Sequence, residues 1–397
     1  MARILQVCNN DFYLMHFLAP LVRRLREYGH EVECVCDGHD VDVAKLGGPI
    51  KVHQIRFPVS NSLGGFYGCI QELRGILRAG SYDCVDSHNR SASIVGRIAA
   101  WLEGVSLNLY TAHGYYFHDD QASVARFATV GLEALLARLT DYTLSQSQED
   151  AHFMLVKGHL VPGSIEVIGN GIDTRRFTPE LARNRAQLEK ELGLRPGRFR
   201  IVSTGRIVRA KGFTDVLRAF STLRKGGAEC EFLIVGGNIA RDIEPYQEQF
   251  FASTRELGVF DDVVVTGITP HVERYLAASD VFVLASYREG LPRAMLEAMA
   301  AGLPVVVTNI RGCREAVADD VDGYLFAPHD VDRLSSLLQK LHAEPQLRSR
   351  LGVAARLKAQ ASFDERDYVE RQVQAMNRLL GTPHTPAGVR EGMVAAQ

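Results

Sequence analysis

The chain has 397 residues, of which 46% are hydrophobic, and its formal net charge at pH 7 is -2. This length and apolar content are sufficient for two globular domains with separate cores, and they exclude a largely disordered chain. A net charge so close to zero offers no broad basic surface for nucleic acid, so we expect a small-molecule substrate.

Cysteine spacing and hydropathy exclude further classes of protein. The seven cysteines lack C-x-x-C spacing, which indicates reduced core thiols rather than a zinc or redox site. The apolar run at the N-terminus is too short for a secretory signal, and no segment has the ~18 uninterrupted apolar residues of a membrane span. We therefore expect a cytoplasmic protein.

The first half of the chain alternates short β-branched runs with helical stretches. We predict strands at 3–8, 31–36, 82–88, 107–113, 142–146 and 165–169, and helices at about 13–28, 92–104, 124–140 and 147–157. Such alternation predicts a doubly wound parallel sheet covered by helices on both faces. The G-x-G-x-x-G fingerprint is absent after the first strand, which counts against a nicotinamide enzyme.

A second array of the same kind predicts a second domain. Its strands are expected at 199–205, 231–237, 262–267, 280–286, 304–309 and 323–326. We assign 1–170 to an N-terminal acceptor-side domain, 171–198 to a linker region, and 199–362 to a C-terminal domain. The helix at 363–380 is expected to pack back on the first domain, and 382–397 to form a flexible tail. In parallel sheets ligands bind at the carboxyl ends of strands, which would place a site in the cleft between the domains.

Cations and carboxylates follow two strands of the second domain. The stretch 204-TGRIVRAKGF-213 places Arg206, Arg209 and Lys211 between a strand and a helix, where they suit a diphosphate. The stretch 289-EGLPRAMLEAMAAGLPVV-306 places Glu289 in a loop and Glu297 in a helix. With 47 acidic residues, chance alone gives about five acidic pairs at this separation. The two clusters together, however, indicate a nucleotide-sugar site.

These motifs, with the segment N-G-I-D at 170–173, resemble those of the retaining glycosyltransferases of family 4. The resemblance covers residues 1 to about 380 and implies the GT-B fold, in which two Rossmann-like domains face each other across a cleft. It implies that Arg206 and Lys211 bind the donor diphosphate and that Glu297 binds the ribose. It also implies that Glu289 and the backbone of Gly290 and Leu291 contact the transferred sugar, and that Ile268 lies near the base.

The first domain supplies a histidine at a strand end, in 111-TAHGYYFH-118. By the same resemblance, His113 contacts the donor sugar and, with Glu289, is expected to be catalytic. We place the acceptor near His88, Asn10 and His16, and His118 is a weaker candidate. The loop 8-CNNDFYLMHF-17 departs from the Gly-Gly of most family members, so the acceptor site is the part least transferable from the family.

The resemblance also implies a reaction. Neither 40-DVD-42 nor 320-DVD-322 falls near the cations, so we expect no metal or other cofactor, with the diphosphate charge balanced by side chains. Family membership implies retention, with the leaving phosphate accepting the acceptor's proton. We expect a UDP-sugar donor carrying a hexose or N-acetylhexosamine, and a glycan acceptor on a lipid carrier of the undecaprenyl diphosphate type, used in cell-surface polysaccharide assembly.

Two alternatives stay open at this point. One is a nucleotide-sugar isomerase of the UDP-N-acetylglucosamine 2-epimerase type, and the other is a non-catalytic sugar-nucleotide-binding protein. The helix at 12–28 combines an apolar face with Arg23, Arg24 and Arg26, a composition that suits either core packing or peripheral contact with the cytoplasmic face of the inner membrane.

Overall fold

The computed structural model describes residues 1–58, 62–115, 123–158, 160–237 and 246–382. The chain folds as two compact units, of which the first comprises Met1–Gly169 with the residues from Asp367 onward, and the second comprises Asn170–Arg366. Each unit holds a parallel sheet with helices between its strands. The prediction of two doubly wound α/β domains is confirmed.

The first unit is built on a sheet of seven described strands, which are β1 (Arg3–Val7), β2 (Glu31–Cys36), β3 (Val52–Gln54), β4 (Cys84–Ser87), β5 (Leu107–Ala112), β6 (Tyr142–Ser145) and β7 (Ile165–Val167), arranged in the order β3-β2-β1-β4-β5-β6-β7. Its helices are α1 (Asp11–Tyr13), α2 (Ala19–Glu27), α3 (Leu63–Gly80), α4 (Arg90–Leu102), α5 (Ser123–Ala137) and α6 (Gln148–Val156), and a π-helical turn, Leu14–Leu18, joins α1 to α2.

Strands β1, β4 and β5 are neighbours in this sheet and are buried along most of their length. Parallel strands covered on both faces favour such continuous apolar runs. Their carboxyl ends lie side by side, because Gln6 pairs in register with Asp86, and Asp86 with Leu109. The residues that end these three strands therefore share one edge of the sheet.

The second unit has a sheet of six described strands, which are β8 (Phe199–Thr204), β9 (Cys230–Val235), β10 (Val263–Val265), β11 (Val281–Leu284), β12 (Val305–Thr308) and β13 (Gly323–Phe326), arranged in the order β10-β9-β8-β11-β12-β13. Its helices are α7 (Arg185–Glu191), α8 (Phe213–Lys225), α9 (Tyr246–Glu256), α10 (Val272–Ala277), α11 (Arg293–Ala300), α12 (Cys313–Ala316), α13 (Val331–Ala343) and α14 (Pro345–Ser362). Strands β8 and β11 are adjacent, so the segments that follow them meet at one edge.

The segment 171–198 belongs to the second unit, although its Gly, Asn, Asp and Pro content suggested a linker. Four of its apolar side chains are buried in the core of that unit: Ile172, Phe177, Leu188 and Leu194. The segment also contains helix α7. The Gly, Asn, Asp and Pro residues at its start signalled turns, but the later apolar residues give the segment a packed position.

The last described helix, α15 (Glu365–Leu379), contributes most of its length to the first unit. Its buried side chains belong to the same core as those of α2, and they include Tyr368, Val369, Val373 and Met376. The predicted tail at 382–397 lies outside the described residues except for Thr382. All seven cysteines are free and buried, in agreement with core thiols.

Candidate functional site

The loop that follows β8 is held directly against the end of β11. Gly212 has a φ of +64°, and a Cβ atom at this position would lie 2.0 Å from the carbonyl oxygen of Ala285. The amide of Tyr287 donates to the carbonyl oxygen of Ala210 at 2.9 Å. Only glycine allows so close an approach, so the packing of the Gly212 backbone against Ala285 brings Lys211 next to the segment that follows β11.

Lys211 and Glu289 form an ion pair at this point. The Lys211 Nζ atom lies 2.6 Å from Glu289 Oε1, and their side chains are 24% and 14% exposed. A contact this short is a charge-assisted hydrogen bond. The structure therefore joins the predicted phosphate cation to the glutamate predicted for the transferred sugar. Arg206, earlier in the same loop, has an exposed side chain.

Arg209, between these two cations in sequence, has a different environment. Its guanidinium lies 5.5 Å from the centre of the Tyr246 ring, and Nη2 donates to Gln249 at 3.3 Å. It lines a cavity of about 250 Å³ together with Thr214, Asp215, Arg218, Tyr246, Tyr287 and His329. Arg209 therefore does not join Lys211 at Glu289.

Two contacts fix the backbone after Glu289. Asn170 Nδ2 donates to the carbonyl oxygen of Leu291 at 2.8 Å. Gly312, with a φ of +77°, approaches so closely that a Cβ atom would lie 1.4 Å from the carbonyl oxygen of Gly290. Pro292 is the N-cap of α11. Gly290 and Leu291, the predicted backbone donors, are thus held in place from two sides.

Glu297 lies in the middle of α11 and is partly accessible. Burial of its carboxyl group raises its pKa to about 7, an effect that the positive charges of Arg293 and Arg176 only partly oppose. Arg293 itself donates to Glu365 at 3.2 Å. No hydrogen bond to the Glu297 carboxyl group comes from the described residues. A carboxyl group with so perturbed a pKa is typical of functional sites.

Ile268, the residue predicted near the base, is 65% exposed. The turn before it is set by Gly267, whose φ is +72°. Thr266 fastens this turn, since its Oγ1 donates to the Gly267 carbonyl at 2.8 Å and accepts from the Gly236 amide at 3.3 Å. The position therefore offers both an accessible apolar side chain and fixed backbone groups.

In the first unit, His113 directly follows β5. Its Nε2 atom lies 3.0 Å from Nδ1 of His88, and its ring makes a T-shaped contact with the Tyr13 ring, with centroids 5.3 Å apart. His88 is fully buried, and its Nε2 lies 2.6 Å from Gln6 Oε1. The predicted acceptor role of His88 therefore needs correction, because the ring has no accessible surface for an acceptor. His118 lies outside the described residues.

The other two predicted acceptor residues follow β1. Asn10 caps α1, with its Oδ1 accepting from the Tyr13 amide at 2.7 Å. His16 lies in the π-helical turn, exposed and stacked on the ring of Phe12 with centroids 4.1 Å apart. Asn10 thus shapes the turn, whereas His16 and Phe12 form an accessible aromatic pair.

Two of the three arginines of α2, Arg24 and Arg26, are engaged within the protein, whereas Arg23 is exposed. Arg24 contacts Glu27 and Glu370, each at 2.9 Å. Arg26 donates to the carbonyl oxygens of Leu46, Gly48 and Pro49 at 2.8–3.1 Å. The basic patch that the sequence suggested for membrane contact is therefore largely consumed by intramolecular bonds.

In the part of the chain that the structure describes, no group of three or more His, Cys, Asp and Glu side chains is placed to hold a metal ion. Within the same residues, none of the helices combines the length and hydropathy required to cross a bilayer. Metal-independent transfer stays a prediction.

Known proteins give a consistent assignment. The family model for "Glycosyltransferase Family 4" matches residues 17–176, and that for "Glycosyl transferases group 1" matches residues 184–358. The UDP-Gal:α-D-GlcNAc-diphosphoundecaprenol α-1,3-galactosyltransferase of Escherichia coli is 31% identical over 273 residues, which are 68% of either chain. The present chain belongs to the family 4 glycosyltransferases.

Solved structures agree with the fold of this glycosyltransferase. It is similar to sucrose-phosphate synthase from Thermosynechococcus elongatus, with a TM-score of 0.80 at 18% identity, covering 96% of this chain and 100% of that one. Anabaena HepE in complex with UDP-glucose gives 0.78 at 18% identity, with 95% and 100% covered. These likenesses confirm the predicted GT-B fold, and the family assignment decides against the epimerase alternative.

In each unit, residues that hold the predicted site residues in place were missed in the sequence analysis. Gln6 is a polar side chain inside the buried strand RILQV, and that contrast was the available signal. Asn170 opens the N-G-I-D motif, which resembles the family's motif but gives no role to its asparagine. Gly312 carried no local signal, because only the fold reveals how closely it approaches Gly290.

Proposed function

We propose that this protein is a retaining glycosyltransferase that moves a hexose or N-acetylhexosamine from a UDP-sugar to a hydroxyl of a lipid-linked glycan. The observation that carries the proposal is the Lys211–Glu289 pair, in which the cation predicted for the diphosphate and the carboxylate predicted for the transferred sugar meet at 2.6 Å. The similarity to the Escherichia coli galactosyltransferase, whose name specifies UDP-galactose and a diphosphoundecaprenol acceptor, supports the substrate classes.

The donor diphosphate brings two negative charges to a place where Lys211 is already neutralised by Glu289. The second cation needed for charge balance is Arg206, which lies earlier in the same loop and has an exposed side chain. On donor binding Lys211 turns from Glu289 toward phosphate or is shared between them. In either case the released Glu289 carboxylate is available to the hydroxyls of the transferred sugar.

The reaction breaks the bond between the sugar C1 and the phosphate oxygen and forms a bond from C1 to the acceptor oxygen on the same face. The acceptor hydroxyl loses its proton to the departing phosphate. Lys211 and Arg206 stabilise the charge that grows on the leaving UDP. His113 and Glu289 orient the sugar, and no side chain is required as a covalent nucleophile.

A donor screen by thermal unfolding tests the proposal. A saturating UDP-sugar at 100 times its Kd stabilises the folded state by about 2.7 kcal/mol, an upward Tm shift of several degrees. We expect the shift with UDP-sugars and not with GDP- or ADP-sugars at the same concentration. The absence of a shift with every nucleotide sugar would remove the donor-site assignment.

The raised pKa of Glu297 predicts proton release on donor binding. An ionised carboxylate accepts two hydrogen bonds from the ribose diol, so binding selects the ionised form and lowers its pKa. With a pKa of about 7 in the free protein, binding at pH 7 releases about half a proton, and affinity rises between pH 6 and 8. UDP-glucose is the suitable ligand, since its diphosphate does not ionise in this range.

Calorimetry in two buffers of different ionisation enthalpy measures this release. In Glu297→Gln the dependence on buffer should vanish while the protein stays folded. At pH 8 the same variant should be more stable than the parent protein. The native state of the parent binds the Glu297 proton more tightly than the unfolded chain does, so its free energy of unfolding falls as pH rises. Equal enthalpies in both buffers for the parent protein would contradict the assigned role.

We further propose that α5 is the point of contact with the membrane. Val124, Phe127 and Leu135 are 83%, 81% and 57% exposed, and their spacing puts them on one helix face. Ala128 and Gly131 on that face are exposed too. An uncharged exposed stripe of this kind fits a lipid surface, where the lipid-linked acceptor resides.

Phe127→Glu should therefore lower the affinity for phosphatidylglycerol vesicles, measured by co-sedimentation, about 10-fold. The change removes a large apolar side chain and adds a negative charge that the anionic lipid repels. The matched control is Leu357→Glu, which alters a 61% exposed helical residue of the second unit. Equal losses in the two variants would place the contact elsewhere.

A further inference from the structure

Tyr287 fastens the segment after β11 to the loop after β8 at two points. Its amide donates to the Ala210 carbonyl oxygen at 2.9 Å, and its phenol hydroxyl donates to Asp215 Oδ2 at 2.8 Å. Ala210 directly precedes Lys211, and Asp215 follows it in the first turn of α8. These two bonds, here called the Tyr287 tether, therefore span the loop position from which Lys211 reaches Glu289.

Asp215 is a fixed acceptor for the phenol. It is 5% exposed, and a buried carboxylate needs hydrogen-bond donors or opposite charges around it. Its Oδ2 accepts from Tyr287 and lies 3.4 Å from His329 Nδ1. Its place in the first turn of α8 is also favourable, because the amide groups at a helix N-terminus attract negative charge. The carboxylate is thus held where the phenol meets it.

Tyr287 is held by its ring as well as by its hydroxyl group. The His329 ring packs on it with centroids 4.2 Å apart. His329 has a φ of +66°, a costly conformation for a residue with a Cβ atom, where the turn after β13 places this ring against Tyr287. Burial raises the pKa of the Tyr287 phenol above its ordinary value, and the bond to Asp215 raises it further. The phenol therefore stays a protonated donor at neutral pH.

The segment that carries Glu289 is thus fixed on both sides. Before Glu289 the fixed point is Tyr287, and after it Asn170 Nδ2 donates to the Leu291 carbonyl oxygen at 2.8 Å. The ion pair with Lys211 cannot serve this purpose in a donor complex, because the diphosphate competes for the ammonium group. The Tyr287 tether involves none of the residues predicted to touch the donor, so it persists when the donor binds.

We propose that Tyr287 is a positioning residue, whose bond to Asp215 holds Glu289 toward the transferred sugar when the donor diphosphate draws Lys211 away. The effect on rate rests on the proposed function. The Tyr287 tether itself is a property of the free protein, because both partners of each bond belong to this chain.

Amide hydrogen exchange at residue 287, followed by NMR, measures the Tyr287 tether directly, since this amide exchanges only when its bond to Ala210 opens. Tyr287→Phe keeps the ring and removes the bond to Asp215, so we expect exchange at residue 287 to become about 10-fold faster. In Asp215→Asn the side-chain oxygen still accepts from the phenol, and the rate should stay within about threefold of the parent. Unchanged exchange in folded Tyr287→Phe would overturn the proposal.

Tyr324→Phe is the matched control. Tyr324 is a buried tyrosine of the same unit whose hydroxyl also donates to an aspartate at 2.8 Å, in this case Asp320. It lies in β13, and its hydroxyl accepts from Lys340 at 3.1 Å. The change removes the same kind of bond, so exchange at residue 287 should match that of the parent. Equally fast exchange in Tyr324→Phe and Tyr287→Phe would contradict a tether specific to Tyr287.

Transfer kinetics show whether the Tyr287 tether acts through Glu289. We expect Tyr287→Phe to lower kcat about 10-fold, with the Kd of UDP unchanged because UDP lacks the sugar that Glu289 contacts. In a Glu289→Gln background the further change Tyr287→Phe should cause no additional loss. Additive losses would overturn the proposal, since Tyr287 would then act by another route. If the parent transfers no sugar, the proposed function fails, while the exchange rates still decide whether the tether exists.

Discussion

Lys211→Ala should lower kcat/KM for transfer by about 10²- to 10³-fold while the protein stays folded. The substitution removes a charge-assisted bond to the diphosphate, worth about 1.5–3 kcal/mol. It also leaves Glu289 without the ammonium that now lies 2.6 Å from it, so the incoming diphosphate meets an uncompensated carboxylate. The two effects together amount to about 3–4 kcal/mol of transition-state stabilisation.

Arg209→Ala is the matched control for Lys211→Ala. It removes an equal charge from the same turn, but Arg209 lies over Tyr246 and bonds Gln249. Its loss should change kcat/KM less than about threefold, because this guanidinium is not part of the Lys211–Glu289 pair. Equal losses in the two variants would mean that overall positive charge, not the position of Lys211, governs donor binding.

The Lys211–Glu289 pair also predicts non-additivity. In Lys211→Ala, the further change Glu289→Gln removes the uncompensated charge and should restore part of the UDP affinity measured by calorimetry. Residues in direct contact show interaction energies of about 0.5–3 kcal/mol in such cycles. Additive losses in affinity would indicate that the two side chains do not act on one ligand.

Gly312→Ala should weaken donor binding more than any substitution of an exposed residue. The new Cβ atom would lie 1.4 Å from the carbonyl oxygen of Gly290, and the φ of +77° is itself unfavourable for alanine. The loop at Gly290 and Leu291 must move, which displaces Glu289 from Lys211. We expect UDP-sugar affinity to fall at least 100-fold and the free energy of unfolding to fall by about 2–4 kcal/mol.

Gly258→Ala separates the effect of backbone strain from the effect of the clash with the Gly290 carbonyl oxygen. Gly258 has a φ of +70°, but no atom lies within 4 Å of its Cβ position. This control should cost only the backbone strain, about 1–2 kcal/mol, and leave donor affinity intact. Thermal unfolding and calorimetry on both variants measure the difference. A Gly312→Ala protein that binds donor normally would show that the loop after Glu289 does not form the site.

The sequence was sufficient for the fold class and for every described strand except β3 (Val52–Gln54), because both depend on local pattern. Runs such as VFVL at 281–284 and VVVT at 305–308 are buried throughout, as parallel strands covered on both faces require. The placement of Lys211 and Glu289 at adjacent strand ends also followed from pattern, since adjacent parallel strands deliver their loops to one edge, but their ion pair did not. These predictions needed no information about side-chain packing.

The errors arise where packing decides. His88 was correctly placed at a strand end, yet Gln6 and Asp86 enclose its ring, and a strand end does not specify exposure. The arginines of α2 suited either core packing or membrane contact from the sequence alone, and only the structure shows that Glu370 in a distant helix binds Arg24. The raised pKa of Glu297 comes from burial on α11, which neither residue type nor spacing encodes.

The stereochemistry of the transferred sugar tests the central claim most directly. The protein is incubated with a UDP-hexose or UDP-N-acetylhexosamine and a sugar-diphosphate-undecaprenol acceptor, and the anomeric configuration of the new linkage is read from its ¹H NMR coupling constant. We predict one new glycosidic bond with the donor's α configuration, and its loss in Lys211→Ala. A β-linked product, or no product from any UDP-sugar, would contradict the account.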